Sequence, residues 1–150
     1  MMKKHISLIL LFCVLCSILS GCGKQEGSEF LGTWKKETEV RYKPEDIDER
    51  HQNIKIETYL VIEASENGKN TFTATEYRLE KEGESKYRAS QQKFPLQRKD
   101  GILEKDFSKR YYIENGKLRE NTAKEDYDHV SDKSMTFEEM NNGRGYPAPK

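Results

Sequence analysis

Cysteine is the first scarcity of this chain, with 3 in 150 residues. Cys13 and Cys16 lie inside an N-terminal apolar run, and Cys22 follows it directly. With that run removed, no pair is left to form a disulfide, so the remainder must hold together by packing alone. A bias of charge is also missing: 26 basic residues face 26 acidic ones, and no basic cluster is interleaved with aromatics. That excludes the electrostatic footprint of a nucleic-acid binder. Large apolar side chains are thin, since Leu, Ile, Val and Phe make up about 15% of the residues beyond Gly21, a level that taken alone points to disorder.

The usual signs of chemistry are lacking too. No G-x-S-x-G elbow and no phosphate-binding glycine loop is present. Beyond Gly21 the only histidines are His51 and His129, too far apart for metal-ligand spacing. With so many acids, neighbouring carboxylates arise by chance and carry no sign of glycosidase chemistry. The expectation is a protein without catalytic residues, metal or cofactor, and not an enzyme.

Aromatic residues are what the chain does have: 1 Trp, 8 Tyr and 6 Phe. Each ring buries a large area, and the small net charge opposes disorder. These point to a folded domain with a thin core and a heavily charged surface.

The first 22 residues form a distinct unit. Lys3 and Lys4 give a positive start, Ile6–Leu19 is apolar apart from Ser7 and Ser17, and small residues close the run before Cys22. This is the layout of a secretory signal peptide, too short to be an ordinary transmembrane helix. The closing Leu19-Ser20-Gly21-Cys22 resembles the lipobox of bacterial lipoproteins. The resemblance implies cleavage before Cys22, acylation of Cys22 and anchoring in the cell envelope through that lipid. Two or three acyl chains make such attachment effectively permanent. Gly23 stands where that family places Asp as an inner-membrane retention signal. The implied location is therefore the periplasmic face of the outer membrane in a Gram-negative source, or otherwise the outer face of the cell membrane. Removal of residues 1–21 takes two lysines and leaves 24 basic and 26 acidic groups.

From Thr33 onward the pattern has period two, the mark of half-buried strands. Trp34, Lys36, Thr38, Val40 and Tyr42 fall on one side, with an entirely polar set opposite. Ile54, Ile56, Thr58, Leu60 and Ile62 repeat the alternation, while Tyr59 and Val61 break the outer face and hint at a second contact there. Further strands are expected at Thr71–Leu79, Lys86–Gln92, Phe94–Arg98, Ile102–Phe107, Arg110–Ile113 and Leu118–Thr122, with weaker candidates at Tyr127–Val130 and Ser134–Phe137. Asp100-Gly101 and Asn115-Gly116 are strong hairpin signals, because both turn positions need positive φ. Pro95 marks an edge or bulged position. Thr136-x-x-Glu139 offers a capping box for a short helix as the alternative to the last strand. Lys43–Asn53 reads as a charged excursion at the rim, and Asn141–Lys150, rich in Gly and Pro, as a disordered tail.

Eight to ten short strands in meander order give an all-β, antiparallel, up-and-down barrel or part-open barrel. The entry Phe30-Leu31-Gly32-Thr33-Trp34 resembles the Gly-x-Trp signature of lipocalins. That resemblance implies structural roles for Gly32, as a point of close approach, and for Trp34, as the plug of the closed end. It also implies an Arg stacked on the Trp, for which Arg119 is the nearest candidate. Without it, Trp34 is simply the largest core residue of a β domain.

The expected layout is a signal peptide at 1–21, a lipidated tether at 22–29, a lipocalin-like domain at 30–140 and a tail at 141–150. Two functions fit. One is a non-catalytic, membrane-anchored carrier of a small hydrophobic ligand. The other is a protein-binding envelope lipoprotein, either an assembly accessory or an inhibitor or immunity protein against a toxin or hydrolase.

Overall fold

The computed structural model describes residues 26–41, 53–66 and 68–150. The period-two runs become eight strands: β1 Gly32–Val40, β2 Ile54–Ala64, β3 Thr71–Glu82, β4 Lys86–Lys99, β5 Ile102–Lys105, β6 Lys109–Glu114, β7 Lys117–Glu120 and β8 Asp128–Ser131. Each pairs antiparallel with its sequence neighbour from β1 to β7, and β8 returns to pair with β1. Tyr127, just before β8, exchanges two main-chain bonds with Leu118 of β7, at 3.0 and 2.8 Å. That bridge brings the two ends of the sheet together, so the meander is an up-and-down, lipocalin-like barrel. The Asp100-Gly101 and Asn115-Gly116 turns have φ of 51° and 77°, and 52° and 75°, the all-positive geometry that matches strand twist in a tight hairpin.

Two apolar clusters lie on opposite faces of β2–β4. Inside the barrel, Trp34, Leu60, Ile62, Phe72, Ala74, Leu96, Leu103, Tyr111, Leu118 and Tyr127 pack with Phe30. Burying each of the larger side chains contributes about 1.5–3 kcal/mol, and the rings among them compensate for the sparse Leu, Ile and Val. Outside, Tyr59, Val61 and Leu79 pack against Met140 and Tyr146. The outward Tyr59 and Val61 thus meet the second contact that their breach of the alternation foretells.

Four expectations are corrected. Lys86–Gln92 and Phe94–Arg98 are one continuous strand, because β4 runs unbroken through Lys93. The segment Ser134–Phe137 is not a strand: Phe137–Asn141 forms a helix, α1, with Thr136 and Glu139 satisfying each other's main-chain N–H groups at 3.3 and 2.7 Å. The capping box is local to the segment, and Phe137 and Met140 hold the helix against the outer cluster. The tail beyond Asn141 is packed rather than disordered, since Tyr146 is 8% exposed in the outer cluster. At the other end, packing begins before Phe30: Gly27 is buried, and Ser28–Phe30 makes a turn of 3-10 helix. Cys22, the apolar N-terminal run, His51 and nearly all of Lys43–Asn53 lie outside the described residues.

A candidate interaction surface on the outer face

Gly32 and Trp34 sit at one end of the barrel. Gly32 has φ of 108°, and a Cβ there would stand 2.2 Å from the Ser131 carbonyl oxygen. Only glycine lets β8 approach β1 this closely. Trp34 is 3% exposed; its indole N–H donates to the Phe30 carbonyl at 2.8 Å, which ties the 3-10 turn across the barrel end. The ring against it is His129, edge-on at 4.7 Å between centroids. Arg119 does not stack there. Its guanidinium reaches Asp126 at 2.9 Å and pairs with Glu114 on the surface, because β7 turns that position outward.

Towards the other end the barrel interior becomes polar. Lys36, two positions beyond Trp34 on the same face, meets Glu120 at 3.3 Å, and Lys109 meets the same carboxylate at 3.5 Å. Thr122 and Tyr127 also donate to Glu120, at 2.7 and 3.4 Å. Burial pushes the Glu120 carboxyl up, but the Thr122 hydroxyl and the two ammonium groups outweigh it and hold the group below the usual glutamate range. The Lys36 ammonium also lies 4.4 Å from the centre of the Tyr127 ring. Burial raises the phenols of Tyr111 and Tyr127 well above the ordinary tyrosine value, with the Glu120 charge adding to it. The Tyr111 hydroxyl is buried without a hydrogen-bond partner among the described residues. Large side chains thus pack the interior around Tyr111 and Tyr127, and its far layer carries charge.

Concave surface is found instead outside, where the C-terminal segment crosses β2–β4. Thr33 fixes the start of that segment: its hydroxyl donates to the Lys133 carbonyl at 2.8 Å and accepts from the Met135 N–H at 3.0 Å. Farther along, Arg144 pairs with Glu57, which also accepts from Lys35 at 2.8 Å. Burial works to raise the Glu57 carboxyl, yet Lys35 and Arg144 together hold it below its usual range. Burial likewise works to lower the Lys35 ammonium, and its bonds to Glu37 and Glu57 leave it raised.

On either side of this strap lies an open groove. One, of about 570 Å³, is lined by Glu39, Lys55, Lys81, Tyr87, Arg144 and Tyr146 among others. The other, of about 540 Å³, runs between Val61, Tyr77 and Gln91 and the segment holding Met135, Phe137 and Pro149. Both grooves mix apolar rings with charge.

The border of this surface is the long strand β4. Strand β5 pairs with it only at Gln97–Lys99, so Lys86–Leu96 has a strand partner on the β3 side alone among the described residues. Gln91 N–H donates to the Lys150 oxygen at 3.3 Å, whereas Arg98 N–H donates towards β3, to Asn70 at 2.8 Å. Donors alternate along a strand, so the odd-numbered positions from Tyr87 to Pro95 face the free side. Pro95, which has no N–H, falls there, as expected of a proline at an edge.

Sequence reasoning finds Gly32 and Trp34 and misses the strap. Tyr146 was the available signal, as the lone aromatic in a Gly- and Pro-rich stretch; the pairing of Arg144 with Glu57 leaves no local trace. Among the described residues no group of three or more His, Cys, Asp or Glu is placed to hold a metal, and no helix is long and apolar enough to cross a membrane. No protein-family model, no curated protein and no solved structure matches this chain.

Proposed function

We propose that this chain is a lipid-anchored envelope lipoprotein whose barrel is a scaffold for binding another protein through its outer face. The anchor rests on Leu19-Ser20-Gly21-Cys22 and the charged, apolar, small-residue order before it. The partner-binding role is carried by one contrast. The barrel interior is occupied by rings such as Tyr111 and Tyr127, each 0% exposed, while the grooves and a free strand edge lie outside. An interior carrier of an apolar ligand needs a lined void and an apolar mouth. The Lys36–Glu120–Lys109 layer argues against both.

The carrier reading keeps one observation on its side: the orphan Tyr111 hydroxyl would be satisfied by a polar guest within the barrel, water included. A single experiment separates the two. A photo-crosslinking amino acid replaces Tyr87 on the outer face, or Tyr112 on the far side of the barrel, in the full chain expressed in its host. Partner binding gives a discrete heavier species from position 87 and not from 112. Absence of any such species, together with a stoichiometric small-molecule adduct in native mass spectrometry of the detergent-extracted protein, would favour the carrier.

A further inference from the structure

The free edge of β4 has three properties that belong together. It is long, since 14 residues form the strand and only its last three pair with β5. It is basic: Lys86, Arg88 and Lys93 stand along the unpaired part, Arg98 and Lys99 follow, and the strand contains no Asp or Glu. Finally, one of its outward donors already takes a main-chain acceptor, because Gln91 gives its N–H to Lys150 of the same chain at 3.3 Å. The outward donors of Tyr87, Ala89 and Lys93 on either side of Gln91 have no main-chain acceptor among the described residues.

From this edge, and resting on the protein-binding reading above, we propose that β4 takes up an extended, acidic segment of the partner by strand addition, in line with Tyr87–Lys93. Main-chain bonds to an exposed edge give such complexes their affinity, and alternate side chains give their selectivity. Opposite-charge pairs across a ladder are favourable and like charges directly opposite are not. Lys93 is exposed and has no ion pair among the described residues, so it favours a facing carboxylate. Lys86 and Arg88 are exposed as well, although both reach back to Glu82 at 3.5 and 3.2 Å. The same charges disfavour a second copy of this chain as the occupant, since pairing β4 with itself would set cations against cations. Lysines on an edge strand are a recognised guard against that association.

The test is amide hydrogen exchange on the full, detergent-extracted chain with two synthetic peptides long enough to span Tyr87–Lys93. One alternates Glu with Thr and the other Lys with Thr. The acidic peptide should slow exchange at Tyr87, Ala89 and Lys93 by roughly tenfold while leaving Ser90 and Gln92, whose donors face β3, unchanged. The basic peptide should do nothing. Ala89→Pro removes one outward donor without touching the β3 ladder and should abolish the protection. If that variant does not fold, Lys93→Glu decides, because it should weaken protection by the acidic peptide and allow protection by the basic one.

Equal protection by both peptides, or by neither, overturns the proposal. So does protection that grows with protein concentration alone, which means self-pairing, or that appears in phosphatidylglycerol nanodiscs without peptide, which means a lipid surface. A crosslink from position 87 with no peptide protection removes strand addition only and leaves partner binding standing. Loss of both removes the reading on which it rests.

Discussion

Arg144 and Glu57 stand 87 positions apart in the chain and form an ion pair. The contact ties the strap to β2, with Lys35 of β1 on the other side of the same carboxylate. The arrangement separates two sources of adhesion that truncation alone would confuse. Arg144 is 36% exposed at its side chain, so Arg144→Ala should cost under about 1 kcal/mol in urea unfolding. Tyr146 is 8% exposed and packs edge-on against Tyr87 at 5.1 Å, so Tyr146→Ala should cost about 2 kcal/mol. The reverse order would mean that charge, rather than apolar contact, holds the strap.

Trp34 is the single tryptophan of the chain, which makes it both a core residue and a probe. Its emission should be blue-shifted in the native state and should report the whole unfolding transition. Trp34→Ala should cost about 3–5 kcal/mol, the range for removing a buried aromatic. A melting temperature that hardly moves would place the ring at the surface and remove the plug role that the lipocalin resemblance implies.

Gly32→Ala combines a left-handed backbone with a collision at the Ser131 carbonyl. The cost should be at least about 1 kcal/mol, and exchange at the β8 amides should quicken more than at β3. Uniform loss of protection across the sheet would contradict a local effect on the β1–β8 seam.

Acid should act through Glu120 and Glu57. Both carboxyls are held below the ordinary value in the folded state, so their contribution is complete above the unfolded pKa, near 4.3. It is lost as pH falls through the folded value. Stability should therefore be flat with respect to these two groups above about pH 5 and should decline below about pH 4. Glu120→Gln leaves Lys36 and Lys109 without their shared carboxylate inside the barrel and should cost about 3 kcal/mol at neutral pH. The difference from the parent should narrow in acid, as read from paired thermal melts at pH 7 and pH 3.

Cys22→Ser should abolish incorporation of labelled palmitate and leave the signal segment uncleaved by the lipoprotein peptidase. Metabolic labelling with an immunoblot for precursor size reads both. Continued labelling of the variant would defeat the lipidation reading.

Strands such as β1, β2 and β3 were legible because one face lies in a core, and the tight turns carry their own instructions. Asn115-Gly116 and Asp100-Gly101 announce hairpins locally, and Ile54, Ile56, Thr58, Leu60 and Ile62 hold the inner face of β2 at every second position. What escaped was decided at a distance. β4 looked like two runs because Gln91, Gln92 and Lys93 are all exposed, so no alternation shows where a strand has a partner on one side only. Thr136 and Glu139 carried the helix signal, but the segment's choice of helix depended on the outer face beneath it. The candidate surface was half legible. Tyr59 and Val61 betrayed a contact on that face, while nothing in the tail apart from Tyr146 said what would make it.

The order of the strands also sets a timetable. Every ladder but one joins sequence neighbours, so successive hairpins can assemble as soon as their own residues are free of ribosome or translocon. The seam between β1 and β8 cannot, because it needs partners about a hundred positions apart, as in the Thr33 bonds to Lys133 and Met135. Until those late residues emerge, Trp34 has no His129 beside it and β1 keeps one unpaired edge. A chain emerging from its N-terminus can thus be at most an open ribbon, and it becomes a barrel only after nearly all of it is present.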